Sequence, residues 1–144
     1  MKNSVRKFIK SLPGPKSYCN CNKLCSPPEI EHVVPIYLLN KNKKKYKKSI
    51  NDPHNLYVCC RNINRKKGTK LLGKEFYPDK YEGMLARSSL YMNWKYNLSI
   101  DALTLDCWEI MDWCCGPKKF EHDRNKIIQN KTGDINPFIS NHKS

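Results

Sequence analysis

Acidic residues are scarce in this chain of 144 residues: 13 Asp and Glu stand against 27 Lys and Arg, a formal net charge of +14 at pH 7. That imbalance argues against a cationic partner and makes a polyanion the natural one. Long apolar runs are missing too. The opening stretch MKNSVRKFIKSLPGPKS is basic but broken by Lys, Arg and Ser, so it holds no signal-peptide core, and no membrane span follows it. An intracellular location is therefore expected, with a viral or nuclear setting as a further candidate, and abundant Lys, Asn and Ile suggest an AT-rich genome such as that of a large DNA virus or a parasite. No segment joins a basic face to a long apolar one, which leaves a membrane surface as a weaker partner than nucleic acid. No internal repeat occurs, and low complexity is confined to one lysine run.

What is present suits a single domain over residues 1–144, large enough for one core without disulfides or metal to complete it. The basic residues thicken in NKNKKKYKKS (40–49), in NRKKGTK (64–70) and at Lys118 and Lys119. One such run is as readily a solvated loop as a binding surface, but three around one small domain favour nucleic acid. Eight cysteines in a reducing compartment point to thiols or metal ligands before disulfides.

Before residue 29 the text is irregular, rich in Pro and Cys. EIEHVVPIYL reads as a strand ended or bent by Pro35, the lysine run as a loop, and NLYVCC as a second strand able to pair antiparallel with the first. RNINRKKG predicts a short helix stopped by Gly68. Three helices follow. In the first, over 79–97, Tyr81, Leu85, Met92 and Tyr96 share a stripe. In the second, Ser99 is the expected N-cap and Ile100, Leu103, Cys107, Ile110 and Cys114 the buried face. In the third, Pro117 suits the first turn, Phe120, Ile127 and Ile128 supply the apolar face, and Gly133 closes the helix.

IEHVVP places a carboxylate beside an imidazole in a run that otherwise reads as core. Neighbouring strand side chains point to opposite faces, so Glu31 and His32 diverge. A strand, loop, strand and helix carrying Glu31 and Asn64 can offer a carboxylate and an amide oxygen to one hard divalent cation, with water and phosphate completing the shell. His32 stays off the metal, and its imidazole, neutral near physiological pH, can take a proton from water. Base and metal would flank one phosphate, the base serving the attacking water and the metal the leaving oxygen. An EH pair alone is more often a structural ion pair or a satisfied core histidine.

DPHNLYVCCRNINRKKG (52–68), taken with IEHVVP, resembles the His-Asn-His (ββα-metal) nucleases. GMLARSSLYM (83–92), FEHDRN (120–125) and NPFI (136–139) narrow this to a resemblance to the endonuclease I family of non-specific nucleases, covering roughly residues 29–139. The resemblance implies an α+β fold, a ββα-metal finger over 18–70 (an antiparallel hairpin plus a short helix) packed against a helical C-terminal part over 79–139. It also implies a general base at His32, metal ligands at Glu31 and Asn64, and a middle asparagine at Asn55 that steadies the loop and the base. His54 is expected to be structural. By the same resemblance the cofactor is Mg²⁺, with Mn²⁺ or Ca²⁺ as substitutes. The substrate is DNA, with RNA in some members, cut with little sequence preference to leave 5′ phosphates. A monomer is expected.

Three departures stand out. The family's usual QGNRNPF reads TGDINPF here, with Ile135 in place of an arginine. The family's phosphate-gripping arginine has no certain counterpart, and Lys47 and Lys48 are the substitutes, as point charges without a planar fork. A secretion signal is missing. The expected phosphate contacts are Lys47, Lys48, Arg61, Arg65, Lys66 and Lys67, with affinity falling steeply in salt. A structural zinc on Cys21, Cys25, Cys59 and Cys60 stays open beside packed thiols or disulfides, Ile63 standing where a fourth ribbon ligand belongs. Two other functions remain: a non-catalytic, zinc-stabilised nucleic-acid-binding protein, and a site-specific His-Asn-His endonuclease, though no separate recognition domain is visible.

Overall fold

Two four-residue strands, β1 (Glu29–His32) and β2 (Leu56–Cys59), pair antiparallel in the computed structural model, which describes residues 1–15, 28–40 and 43–143. The other regular elements are helices: α1 (Asn3–Ser11), α2 (Ile36–Leu39), α3 (Tyr46–Ile50), α4 (Arg61–Lys67), α5 (Glu82–Tyr96), α6 (Ala102–Cys114), α7 (Lys119–Thr132) and α8 (Pro137–Ser140), with 3₁₀ turns at Lys43–Lys45 and Pro53–Asn55. The protein is thus α+β, mostly helical around a small antiparallel sheet.

β1 is shorter than the hydrophobic run predicts, and Asn55 supplies the reason. Its carboxamide accepts from the Val34 N–H at 2.8 Å and donates to the Val34 carbonyl at 3.1 Å. A side chain thereby takes both groups that a continuing strand would offer its neighbour, and Pro35 next in line has no N–H to give. The chain turns into α2, with Pro35 as its N-cap.

The register aligns Glu29 with Cys59, Ile30 with Val58, Glu31 with Tyr57 and His32 with Leu56. Directly opposed residues share a face of the hairpin, which separates two buried layers. Leu56 and Val58 pack with Ile9 and Leu12 from and just after α1 and with Ile128 of α7, Ile30 being partly buried against them. Tyr57 and Cys59 belong to the larger core with Val33, Leu39, Leu72, Leu85, Met92 and Trp108. A hairpin sandwiched this way has all four β2 side chains buried.

Caps and turns follow local chemistry. Gly68 ends α4 at φ +54° and Gly133 ends α7 at φ +84°, conformations that disfavour a Cβ. Asp52 caps the turn before β2, accepting the His54 N–H on one oxygen at 3.0 Å and the hydroxyls of Tyr91 and Tyr96 on the other at 2.8 and 2.6 Å. Burial, with the Asp52 carboxylate second, pushes both tyrosine pKa values up, so they remain donors.

Four expectations are corrected. The lysine run is not a plain loop, since it enters α3 with Tyr46 against the core and Ser49 buried. Asp101 rather than Ser99 caps α6, accepting the Thr104 N–H at 3.1 Å. The apolar spacing in α6 marks its outer face: Leu103 is 75% and Ile110 60% exposed, while Thr104 and Trp108 are buried. Trp108 decides this rotation by donating its indole N–H to the Leu72 carbonyl at 2.8 Å. α7 turns Phe120 and Ile128 inward as expected but leaves Ile127 exposed and adds Glu121, Arg124 and Asn125 to the inner side, because these polar residues meet buried partners.

Candidate active site

Alternation along β1 sends Glu29 and Glu31 to one face, over which α4 lies, and Ile30 and His32 to the other. α4 presents Arg61, Asn64 and Lys67, spaced by three residues, to those two carboxylates. Asn64 Nδ2 donates to Glu29 Oε2 at 2.8 Å and Arg61 Nε to Glu29 Oε1 at 3.2 Å, with Arg65 at 3.4 Å from the same oxygen. The Asn64 hydrogen bond, ahead of the two arginines, holds the Glu29 carboxyl below its usual pKa. One step along, the Lys67 ammonium meets Glu31 Oε1 at 2.8 Å and the His32 carbonyl at 3.3 Å, with Lys67 and Glu31 side chains 1% and 2% exposed.

His32 closes β1 on the opposite face. Its Nε2 donates to the Ile50 carbonyl at 2.9 Å, and since a carbonyl can only accept, Nε2 carries the proton. In the neutral ring Nδ1 then holds the lone pair. Burial is the main cause that holds the His32 pKa below 6.5, with Lys67 and the amino-terminal ammonium adding to it and the Ile50 hydrogen bond opposing it. The same Ile50 ends α3, whose Lys47 and Lys48 are exposed, so the helix that fixes the imidazole tautomer also carries two cations.

The structure thus places Glu31 and His32 back to back and puts Lys47 and Lys48 on α3, the helix whose last residue, Ile50, holds the His32 ring. Asn64 sits on the same α4 face as Lys67 but is hydrogen-bonded to Glu29, not Glu31. Arg61, Arg65 and Lys66 are at least partly exposed on α4. Lys67 leaves the phosphate-binding set, because its buried ammonium is committed to Glu31 and the His32 carbonyl. Cys60 is disulfide-bonded, contrary to the expectation of reduced thiols, and offers no thiolate to a zinc ion. Cys59 is a buried thiol, and Cys21 and Cys25 lie outside the described residues.

Asn55 is completely buried and spans from the turn before β2 to Val34, just past the His32 end of β1. Asn55→Ala strands both Val34 backbone groups in the core, a loss expected to total about 2–4 kcal/mol. Urea unfolding measures it, and a change under about 1 kcal/mol would remove the clamp from the account. His54, also buried, donates from Nε2 to the Asp134 carbonyl at 2.9 Å and packs tilted against the Tyr91 ring, 4.5 Å between centroids, a scaffold position.

Sequence reasoning missed several supports. Arg124, buried on α7, reaches the Pro53 and Leu56 carbonyls at 2.8 and 2.6 Å and covers the Tyr57 ring at 4.0 Å. No local pattern announces this contact across almost 70 residues. Asp52 could have been found, since Asp-Pro is a turn-capping pair. Asp134, in the segment that departs from QGNRNPF, binds Lys95 at 2.6 Å and lies 3.6 Å from Lys48.

No family profile matches the chain. It is similar to the protein named Endonuclease-1 of Buchnera aphidicola subsp. Acyrthosiphon pisum (strain APS), 27% identical over an alignment that covers 79% of this chain. The match spans 60% of that relative's length. None of the described helices is long and apolar enough to cross a membrane.

Proposed function

We propose that this protein is a metal-dependent, largely sequence-non-specific endonuclease of the ββα-metal (His-Asn-His) kind, acting on DNA, with RNA as a second substrate class, and leaving 5′ phosphates. The observation that carries the reading is the His32 ring, held by the Ile50 carbonyl in the tautomer that keeps Nδ1 basic, on the residue next to a buried carboxylate. The similarity to a protein named Endonuclease-1 and the charge of +14 support it.

In this reading His32 Nδ1 accepts the proton of the attacking water, and the lowered pKa keeps the imidazole neutral and ready at pH 7. Lys47 and Lys48 on one side and Arg61, Arg65 and Lys66 on the other hold the phosphate backbone. Glu31 and Asn64 supply oxygen donors of the type a hard cation selects, from the β1 and α4 faces that lie against each other. A Mg²⁺ ion held there would offset charge on the phosphoryl group and the leaving oxygen. Lys67 fixes the direction of the Glu31 carboxylate through its 2.8 Å ion pair.

The test is supercoiled plasmid incubated with Mg²⁺, with chelator, and with the Glu31→Gln variant. Cleavage should require the metal and fall about 100-fold or more in the variant. Glu31→Gln also leaves the Lys67 ammonium buried without its counter-charge. Glu31→Gln combined with Lys67→Met removes both charges, should restore the melting temperature and should stay inactive. Undiminished cutting in chelator, or by the double variant, would end this reading.

A further inference from the structure

α1 has two sides with different fates. Ile9 and Leu12 are buried against Leu56, Val58 and Ile128, with Val5 and Phe8 partly buried beside them. Arg6, Lys7 and Lys10 are exposed on the opposite side, and neither the helix nor the two residues before it contain an acidic residue. The Lys131 ammonium, from the last turn of α7, sits 5.9 Å from the Phe8 ring centroid and extends the same cationic surface.

The hairpin register says which side of the molecule this is. His32 is paired with Leu56, so the imidazole and the Leu56 side chain lie on one face, and that is the face α1 covers. Ile30, two residues before His32 and on its face, packs into the α1 cluster. The α4 cations Arg61 and Arg65 belong to the other face and are partly engaged by Glu29 at 3.2 and 3.4 Å.

We propose that the outer side of α1, centred on Arg6 and Lys7 and continued by Lys131, is a nucleic-acid backbone track that leads a strand to the His32 face. The partner is a phosphodiester polyanion, recognised through charge and without base reading. A basic amphipathic helix could instead lie on an anionic membrane, but that mode uses the apolar side, and here Ile9 and Leu12 are spent on β2. The proposal deepens the nuclease reading and rests on it for the meaning of the His32 face.

Binding of a 30-base-pair duplex, followed over a salt series with chelator present, tests it on the full chain. For Arg6→Ala with Lys7→Ala, the slope of log affinity against log salt should shrink by about 0.9 per lost phosphate contact, so by nearly 2 for the pair. Cleavage of the small diester bis(p-nitrophenyl) phosphate should stay at the wild-type rate, because that substrate is too short to reach α1. The control is Lys80→Ala with Lys118→Ala, the same charge change beside the cleft near Arg87, and it should leave the slope close to that of the wild type. An unchanged slope in the α1 variant, or an equal drop in the control, would overturn the proposal in favour of diffuse charge. Loss of binding to phosphatidylglycerol vesicles with duplex binding intact would overturn it in favour of a membrane surface. Binding is read without turnover, so the slopes judge α1 whether or not the wild type cleaves, while the plasmid assay alone judges the nuclease reading.

Discussion

His32→Ala is expected to lower phosphodiester cleavage by about 10²–10⁴-fold, the usual range for loss of a positioned general base. The ring donates a hydrogen bond to the Ile50 carbonyl at 2.9 Å, so the stability cost should be near 1 kcal/mol and duplex binding should survive. A sharper variant is His32→Gln, whose amide can still donate to Ile50 but cannot take a proton from water. If anchoring α3 were all His32 did, Gln would restore activity; if the ring is the base, Gln should be as inactive as Ala. The decisive readout is initial cleavage rate at saturating DNA, beside a salt-dependent binding curve showing that both variants still engage the duplex. Full activity in either variant would remove His32 from the chemistry.

The parts of the site that could be read from the chain are those set by local spacing. Divergence of Glu31 and His32 follows from strand alternation, and the Gly68 and Gly133 stops follow from the conformation a helix end needs. Register between elements was not readable. α4 advances three residues for every two of β1, so whether Asn64 or Lys67 meets Glu31 depends on how far the helix has slid along the strand, and the structure gives Lys67 to Glu31 and Asn64 to Glu29. The lysine count suggests a polyanion partner, yet it cannot tell a solvent-facing cation from one committed to a buried carboxylate, as Lys67 is to Glu31.

Helix faces failed for a related reason. Periodicity reports where apolar residues recur, and in α6 most of the recurring set, Leu103, Ile110 and Cys114, faces outward because Trp108 and its bond to Leu72 fix the opposite side. In α7 the apolar stripe finds Phe120 and Ile128, which do pack inward, but it adds the exposed Ile127 and misses the polar residues Glu121, Arg124 and Asn125 that fill the rest of that side. The motifs that carry the family resemblance in the C-terminal half contribute Arg87, Glu121, Arg124, Asn125 and Asn136, all buried. These residues tie helices to each other and to the hairpin rather than facing the His32 site.

Arg87 is where that scaffold is most exposed to a single substitution. Its guanidinium makes two bonds of 2.7 Å to the Glu121 carboxylate, one of 2.6 Å to the Cys115 carbonyl and one of 3.1 Å to Asp112 Oδ1, and its own carbonyl accepts from Asn136 Nδ2 at 3.2 Å. One residue thus joins α5 to the end of α6, to α7 and to the cap of α8. Gly83, a turn earlier, leaves room for this corner, since a Cβ there would collide with the Cys115 carbonyl. Arg87→Met keeps apolar bulk but leaves Glu121 buried with no guanidinium and the Cys115 carbonyl without its donor. Breaking a buried pair from one side costs about 3–5 kcal/mol, a large share of the roughly 5–15 kcal/mol that holds a domain together. The melting temperature should fall by on the order of 10 °C. Adding Glu121→Gln should recover much of that loss, because the desolvated charge goes with its partner, and the double-mutant cycle isolates the coupling. Cleavage at a temperature where the variant is still folded should stay near the wild-type rate, as none of these bonds touches His32 or Glu31. A melting temperature within about 2 °C of wild type for Arg87→Met would mean that water or a rearranged helix satisfies Glu121, and the corner would lose its role as the fastening of the C-terminal helices.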